Sequence, residues 1–249
     1  MIKLNSLSVA YNRRSVINNL SCEINKGELT VIIGPNGSGK STLMKSALGL
    51  LPISSGEIVI DDKNLSDYSI RDRAKKMAYH SQNRVVPDIS VERFVLHGRF
   101  PYLNYPRRYT KEDKEIVAKC LKEVGADDFR HKNITELSGG ERQRVYIAMA
   151  LAQDTDYLFM DEPLTYLDIR YQLEVMELSK QLVGKGKSII AVLHDIPLAM
   201  KYADKNILMH EGEIRFTGSA EDLYKSGEVD KCFGVRLLNT NGIYHCEPR

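Results

Sequence analysis

The stretch that most restricts how this chain can fold is Gly34-Pro35-Asn36-Gly37-Ser38-Gly39-Lys40-Ser41. It follows a nearly continuous apolar run, Glu28-Leu29-Thr30-Val31-Ile32-Ile33, whose β-branched residues read as a buried strand stopping at Gly34. A helix predicted over Ser41 to Leu51, ended by Pro52, comes directly after. The octet has the spacing Gly-x-x-x-x-Gly-Lys-Ser/Thr between a strand and a helix, and that context makes it a phosphate-binding loop. Glycines let the backbone wrap an anion so that successive N–H groups point inward. The helix start adds its positive dipole end. Lys40 neutralises β and γ phosphates, and the Ser41 hydroxyl, next to Thr42, suits Mg²⁺.

Around this loop, strand and helix signals alternate, which predicts an α/β fold with a largely parallel central sheet. The beginning differs. Ile2, Leu4, Leu7 and Val9, followed by a strand-like stretch from Val16 to Ile24, predict an N-terminal antiparallel β unit. A middle section is mainly helical, over Val91 to Gly98, Lys111 to Val124 and Gly139 to Gln153. Its connection, Arg99 to Tyr109, has loop composition, with Phe100, Pro101, Tyr102, Tyr105 and Pro106. Tyr157 to Met160 and Ser188 to Leu193 read as buried strands, and Asn241-Gly242 as a hairpin turn. We therefore expect one domain over 1–249, with a core from 1–82 and 156–249 and a helical insertion over about 83–155.

A phosphate-binding loop needs a carboxylate for its metal at the end of another buried strand. Tyr157-Leu158-Phe159-Met160-Asp161 supplies one, and Glu162 follows. Alternation along a strand sends the two carboxylates in different directions. Asp161 is then the metal ligand and Glu162 the candidate general base, polarising water in line with the γ-phosphate.

Composition excludes several alternatives. A net charge of +2 with 27% charged residues gives no electrostatic reason for a nucleic-acid partner. Cys22, Cys120, Cys232 and Cys246 are scattered, with no CxxC pair for a metal or redox site, as suits a reducing cytosol. No apolar run approaches the roughly 18 to 20 residues of a spanning helix, so any membrane link is expected through another protein.

Leu137-Ser138-Gly139-Gly140-Glu141-Arg142-Gln143 resembles the signature sequence of ABC ATPases, and it stands between the phosphate loop and Asp161-Glu162. Ser138 can cap the helix that follows, whose glycines leave its N-terminus open to an anion. The resemblance covers nearly the whole chain and implies the P-loop NTPase fold with a RecA-like core. It implies further roles: Tyr11 stacks on adenine, Gln82 senses Mg²⁺ and the γ-phosphate, Asp168 communicates across a dimer, and His194 bonds the γ-phosphate. His80-Ser81 departs from the apolar residue and proline that many relatives carry before that glutamine. The other histidines match nothing. Two subunits are implied to pack head to tail, each ATP lying between one loop and the opposite subunit's Ser138-Gly139-Gly140.

Gly98-Arg99-Phe100-Pro101-Tyr102-Leu103, Thr165-Tyr166-Leu167-Asp168-Ile169-Arg170 and Leu193-His194-Asp195 are most similar to the importers of ferric siderophores, haem and cobalamin. This similarity implies a homodimer at the cytoplasmic face of the membrane, coupled to integral-membrane permease subunits and, indirectly, to an extracytoplasmic substrate-binding protein. A soluble ABC ATPase without a permease, as in iron–sulfur cluster assembly, stays open; a nucleic-acid-linked one lacks its usual coiled-coil insertion or second ATPase domain here. Apolar residues after Gln82, among them Val85, Val86, Pro87, Ile89, Val91, Phe94, Phe100 and Tyr102, are expected to include an exposed permease-docking surface.

Overall fold

The computed structural model describes residues 1–11, 14–81 and 86–249, and its chain separates into two compact units, Met1–Tyr68 with Leu182–Arg249, and Ser69–Gln181. Gln82 and Val85 lie outside the described residues, as does the side chain of Tyr11, whose backbone ends the first strand.

The first unit opens with the expected antiparallel sheet, in which Ile2–Tyr11 lies between Arg14–Ile24 and Ser55–Ile60, with Lys63–Asn64 at the edge. Ile2, Leu4, Leu7 and Val9 are all buried although the step from Leu4 to Leu7 is odd. A register shift between Leu4 and Leu7, with Ser6 at φ 50°, absorbs the extra residue and returns Leu7 to the apolar face. Leu29–Ile33 runs parallel between Ser188–Val192 and Lys205–His210, and Glu213–Gly218 pairs antiparallel with the latter. Every residue of Leu29–Ile33 and Ser188–Val192 is buried, which explains their largely apolar character, with Thr30 and Ser188 the polar exceptions. The terminal hairpin pairs Val235–Thr240 with Ile243–Pro248 across Asn241 and Gly242, at φ 53° and 84°, the left-handed pair that an Asn-Gly turn favours.

The helix after the phosphate loop is shorter than predicted. It spans Lys40–Ala47 and closes at Gly49, φ 67°, with the Leu50 N–H bonded to the Lys45 carbonyl at 2.8 Å. The left-handed glycine stops the helix before Pro52 can.

In the second unit, Met77–His80 and Tyr157–Asp161 form a parallel pair, and helices Val91–Leu96, Lys111–Glu123 and Gly139–Ala152 pack together. The segment predicted as a plain loop is partly helical: His97–Tyr102 is a 3₁₀ helix. Arg99 holds it, donating from Nε to Asp113 Oδ1 and from Nη1 to the Ala152 carbonyl, both at 2.9 Å. Both members of this ion pair are buried. The Arg99 guanidinium lies 3.9 Å from the centre of the Tyr102 ring, and the Tyr102 hydroxyl donates to the Gln153 carbonyl at 3.1 Å. Long-range side-chain anchors thus override local loop composition. Among the described residues, no helix is long and apolar enough to cross a membrane.

Candidate active site

Gly34 to Lys40 leaves the strand Leu29–Ile33 at a point where the chain has no spare room. A Cβ at Gly34 would overlap the Met209 carbonyl oxygen of the neighbouring strand, so only glycine brings the backbone this close. The Ser38 N–H donates to the Pro35 carbonyl at 3.2 Å, closing the loop on itself. Gly39 precedes the helix at φ 101° and offers it no side-chain cap. Lys40 is buried, and its Nζ donates to the Gly34 and Pro35 carbonyls at 2.8 and 2.9 Å. The Ser38 hydroxyl is buried with no hydrogen-bond partner among the described residues. An uncapped helix start, an orphaned hydroxyl and an ammonium resting on carbonyls together fit a polyphosphate. Asn36 and Gly37 are exposed, and Ser41 and Thr42 half-buried.

His194 lies at the same end of this sheet. The Leu193 N–H bonds the Ile32 carbonyl at 3.1 Å, so His194 leaves its strand beside the one that ends in Gly34. The next residue, Asp195, caps the helix Ile196–Tyr202 by accepting from the Leu198 N–H at 2.8 Å, with Pro197 in the first turn, as the sequence predicts.

In the second unit Asp161 ends the strand Tyr157–Asp161 in a buried position, where its Oδ2 accepts from the Tyr79 hydroxyl at 3.1 Å. Glu162 follows at φ 51°. A left-handed turn, rather than strand alternation, is therefore what separates the two carboxylates. Thr165 Oγ1 donates to Glu162 Oε2 at 3.3 Å, and Tyr166, also left-handed at φ 65°, is fully exposed. Asp168 Oδ1 accepts from the Tyr171 N–H at 3.0 Å, so the carboxylate caps the helix Ile169–Gly184.

Ser138 begins the helix Gly139–Ala152 in a capping box: its Oγ accepts from the Glu141 N–H at 3.3 Å, and Glu141 Oε2 accepts from the Ser138 N–H at 2.8 Å. These bonds to Ser138 hold the Glu141 carboxyl below the usual range. Ser138 and Gly139 are exposed, and Gly140 is buried.

The chain from residue 17 to residue 165 matches the family model described as ABC transporter. The chain belongs to the ABC transporter family. It is 36% identical over 234 residues to the ferric enterobactin transport ATP-binding protein FepC of Escherichia coli, covering 93% of this chain and 86% of that one. With the petrobactin import ATP-binding protein FpuC of Bacillus anthracis it shares 39% over 239 residues, 95% and 88% of the two chains. The structure of cbiO1 from Clostridium perfringens, part of the ABC transporter complex cbiONQ, superposes with TM-score 0.80 at 28% identity, covering 92% of each chain. A nucleotide-free ATP-binding cassette from an ABC transporter superposes with TM-score 0.84 at 23% identity, which shows the shared fold. The chain is accordingly an ATPase of P-loop NTPase fold.

In this ABC ATPase four side chains have partners that the sequence does not disclose. Tyr79 bonds Asp161, as above. Gln143, quoted only as part of the signature, donates from Nε2 to the Pro163 carbonyl at 2.6 Å and lies 3.0 Å from His80 Nε2. His80, given no role, is buried in this contact. The fourth, Tyr171, lies against Gly140. The one local hint was the departure at His80-Ser81, just before Gln82.

Proposed function

We propose that this chain is the ATP-hydrolysing subunit of an importer for a metal chelate of siderophore type. It would work as a homodimer beneath integral-membrane permease subunits at the cytoplasmic face, fed by an extracytoplasmic binding protein. One observation carries the cargo class: identity along nearly the whole chain with relatives named for ferric enterobactin and petrobactin. The domain reading is a core of 1–82 and 156–249 with a helical subdomain over about 83–155.

ATP is bound with its phosphates in Gly34 to Thr42 and its adenine on Tyr11. Lys40 gives up its carbonyl contacts to meet β and γ oxygens. Mg²⁺, which takes oxygen ligands, fits the donor set of Ser41, Asp161 and Gln82 and would neutralise phosphate charge. Glu162 takes a proton from the attacking water, whose oxygen bonds to the γ-phosphorus as the bond to ADP breaks. His194 bonds the γ-phosphate, Ser138, Gly139 and Gly140 meet the nucleotide of the opposite subunit, and Asp168 links the two sites. Closure on ATP and reopening after hydrolysis move the permease.

Phe100 supports the docking reading. Val91 is buried, Phe94 stacks edge-on against Tyr146 at 5.2 Å, and Tyr102 lies under Arg99, yet Phe100 is 49% exposed on the anchored 3₁₀ helix. In the assembled transporter, Phe100→Glu should leave folding and ATP binding intact while permease pull-down and siderophore uptake fail. Unfolding would make Phe100 a core residue, and intact uptake would move the coupling surface elsewhere.

A further inference from the structure

We infer that Tyr171 is a positioning residue: it fixes the start of the helix Gly139–Ala152 to the segment carrying Glu162 and Asp168, so that the two shift as one. This deepens the reading above and rests on Gly140 meeting nucleotide. Adjacent glycines show what the ring does. A Cβ at Gly139 would meet nothing within 4 Å, whereas one at Gly140 would fall 2.5 Å from Cδ1 and Cε1 of Tyr171. The second glycine is thus required by the tyrosine ring lying on its backbone, independently of any anion.

Tyr171 is tied through its backbone and flanked at its ring. The Tyr171 N–H is bonded to Asp168, at the end of the segment that begins with Glu162. Arg144, one turn beyond Gly140, lies 5.6 Å from the ring centre and pairs with Glu174, one turn beyond Tyr171. Arg170 Nε reaches the same carboxylate at 3.0 Å. Burial alone would raise the Glu174 carboxyl, but hydrogen bonds from Arg144 and Arg170 outweigh it and hold the group below the usual range. A ring lying on the Gly140 backbone passes movement of the 162–168 segment to the helix start. A misplacement of about 1 Å can cost about 100-fold in rate, which is the scale expected when this contact fails.

The test uses the purified full chain and four readouts: ATP turnover, affinity for a fluorescent ATP analogue, ATP-driven dimerisation in a Glu162→Gln background, and thermal unfolding. Gly140→Ala should lower turnover by about 100-fold. With Tyr171→Ala present, that loss should shrink by at least about tenfold, because the ring that the new Cβ strikes is gone. Tyr171→Ala alone should lower turnover and dimerisation while analogue affinity holds, and Tyr171→Phe should restore both. If Gly140→Ala is equally damaging with and without the ring, or if Tyr171→Ala turns over normally, the proposal fails. A loss of analogue affinity in step with thermal stability would also overturn it, since that marks a merely structural residue. Should Tyr171→Ala not fold, Tyr171→Leu serves the same comparison. Ser138→Arg runs alongside: normal turnover there would remove the nucleotide contact, while the Tyr171–Gly140 coupling is still scored in unfolding midpoints.

Discussion

In the unit of Met1–Tyr68 and Leu182–Arg249 the lysine of the phosphate loop is held by backbone, resting on two carbonyls of its own loop, and the loop's closest approach is a glycine against a main-chain oxygen. In Ser69–Gln181 several groups lean on other side chains: Asp161 on Tyr79, Glu162 on Thr165, and Arg99 on Asp113. A backbone-built site depends on where the glycines are and on one charge. A site built from side chains depends on each partner, and losing one leaves a buried group unsatisfied. The difference teaches where substitutions should cost chemistry and where they should cost folding.

The largest effect is expected from the second unit's proposed base. Glu162→Gln should lower turnover by about 10²–10⁴-fold while MgATP still binds, and the protein should collect as an ATP-bound dimer by size-exclusion chromatography. Near-normal turnover would remove the chemistry from this carboxylate and break the comparison at its centre.

Next comes the buried ion pair. Arg99→Ala strands Asp113 and should destabilise the fold by about 3–5 kcal/mol in denaturant unfolding at neutral pH. Burial raises the Asp113 carboxyl, but hydrogen bonds from Thr110 and Arg99 outweigh it and leave the group below its ordinary value. A carboxyl depressed in the folded state stabilises fully above its unfolded value of about 3.9, and that contribution is lost as pH falls through the folded value. The gap between wild type and Arg99→Ala should therefore narrow below about pH 4. A gap that stays constant with pH would mean packing against Tyr102, rather than charge, is what Arg99 supplies.

Lys40→Ala sharpens the other side. It should weaken nucleotide binding by about 1.5–3 kcal/mol in titration with a fluorescent ATP analogue, since one charge-assisted contact is lost. Unfolding should change less than for Arg99→Ala, because two neutral carbonyls are left behind rather than a buried unpaired charge. A collapse of stability instead would show that the lysine is structural cement for the loop.

The same contrast governs what the sequence disclosed. The phosphate loop, the strands Leu29–Ile33 and Ser188–Val192, the Asn241-Gly242 turn and the caps at Ser138 and Asp195 rest on neighbours a few residues apart, so composition and spacing reveal them. The 3₁₀ stretch from Arg99 to Tyr102 reads as loop by composition because its anchor, Ala152, lies 53 residues from Arg99. The Gln143–His80 contact spans 63 residues. Such pairings carry no period for a sequence to display. Glu162 follows a strand, as expected, but its handedness is set by how the chain leaves the sheet, and no residue beside it is a glycine that would announce the turn.

That handedness has a consequence of its own. A left-handed backbone at a residue with a Cβ costs about 1–2 kcal/mol, and glycine would relieve it. Glu162→Gly should therefore be the rare substitution that makes the polypeptide sturdier and the catalyst useless. A chain shaped by durability alone would have settled on glycine here; the proposed role as base is a demand that folding does not make.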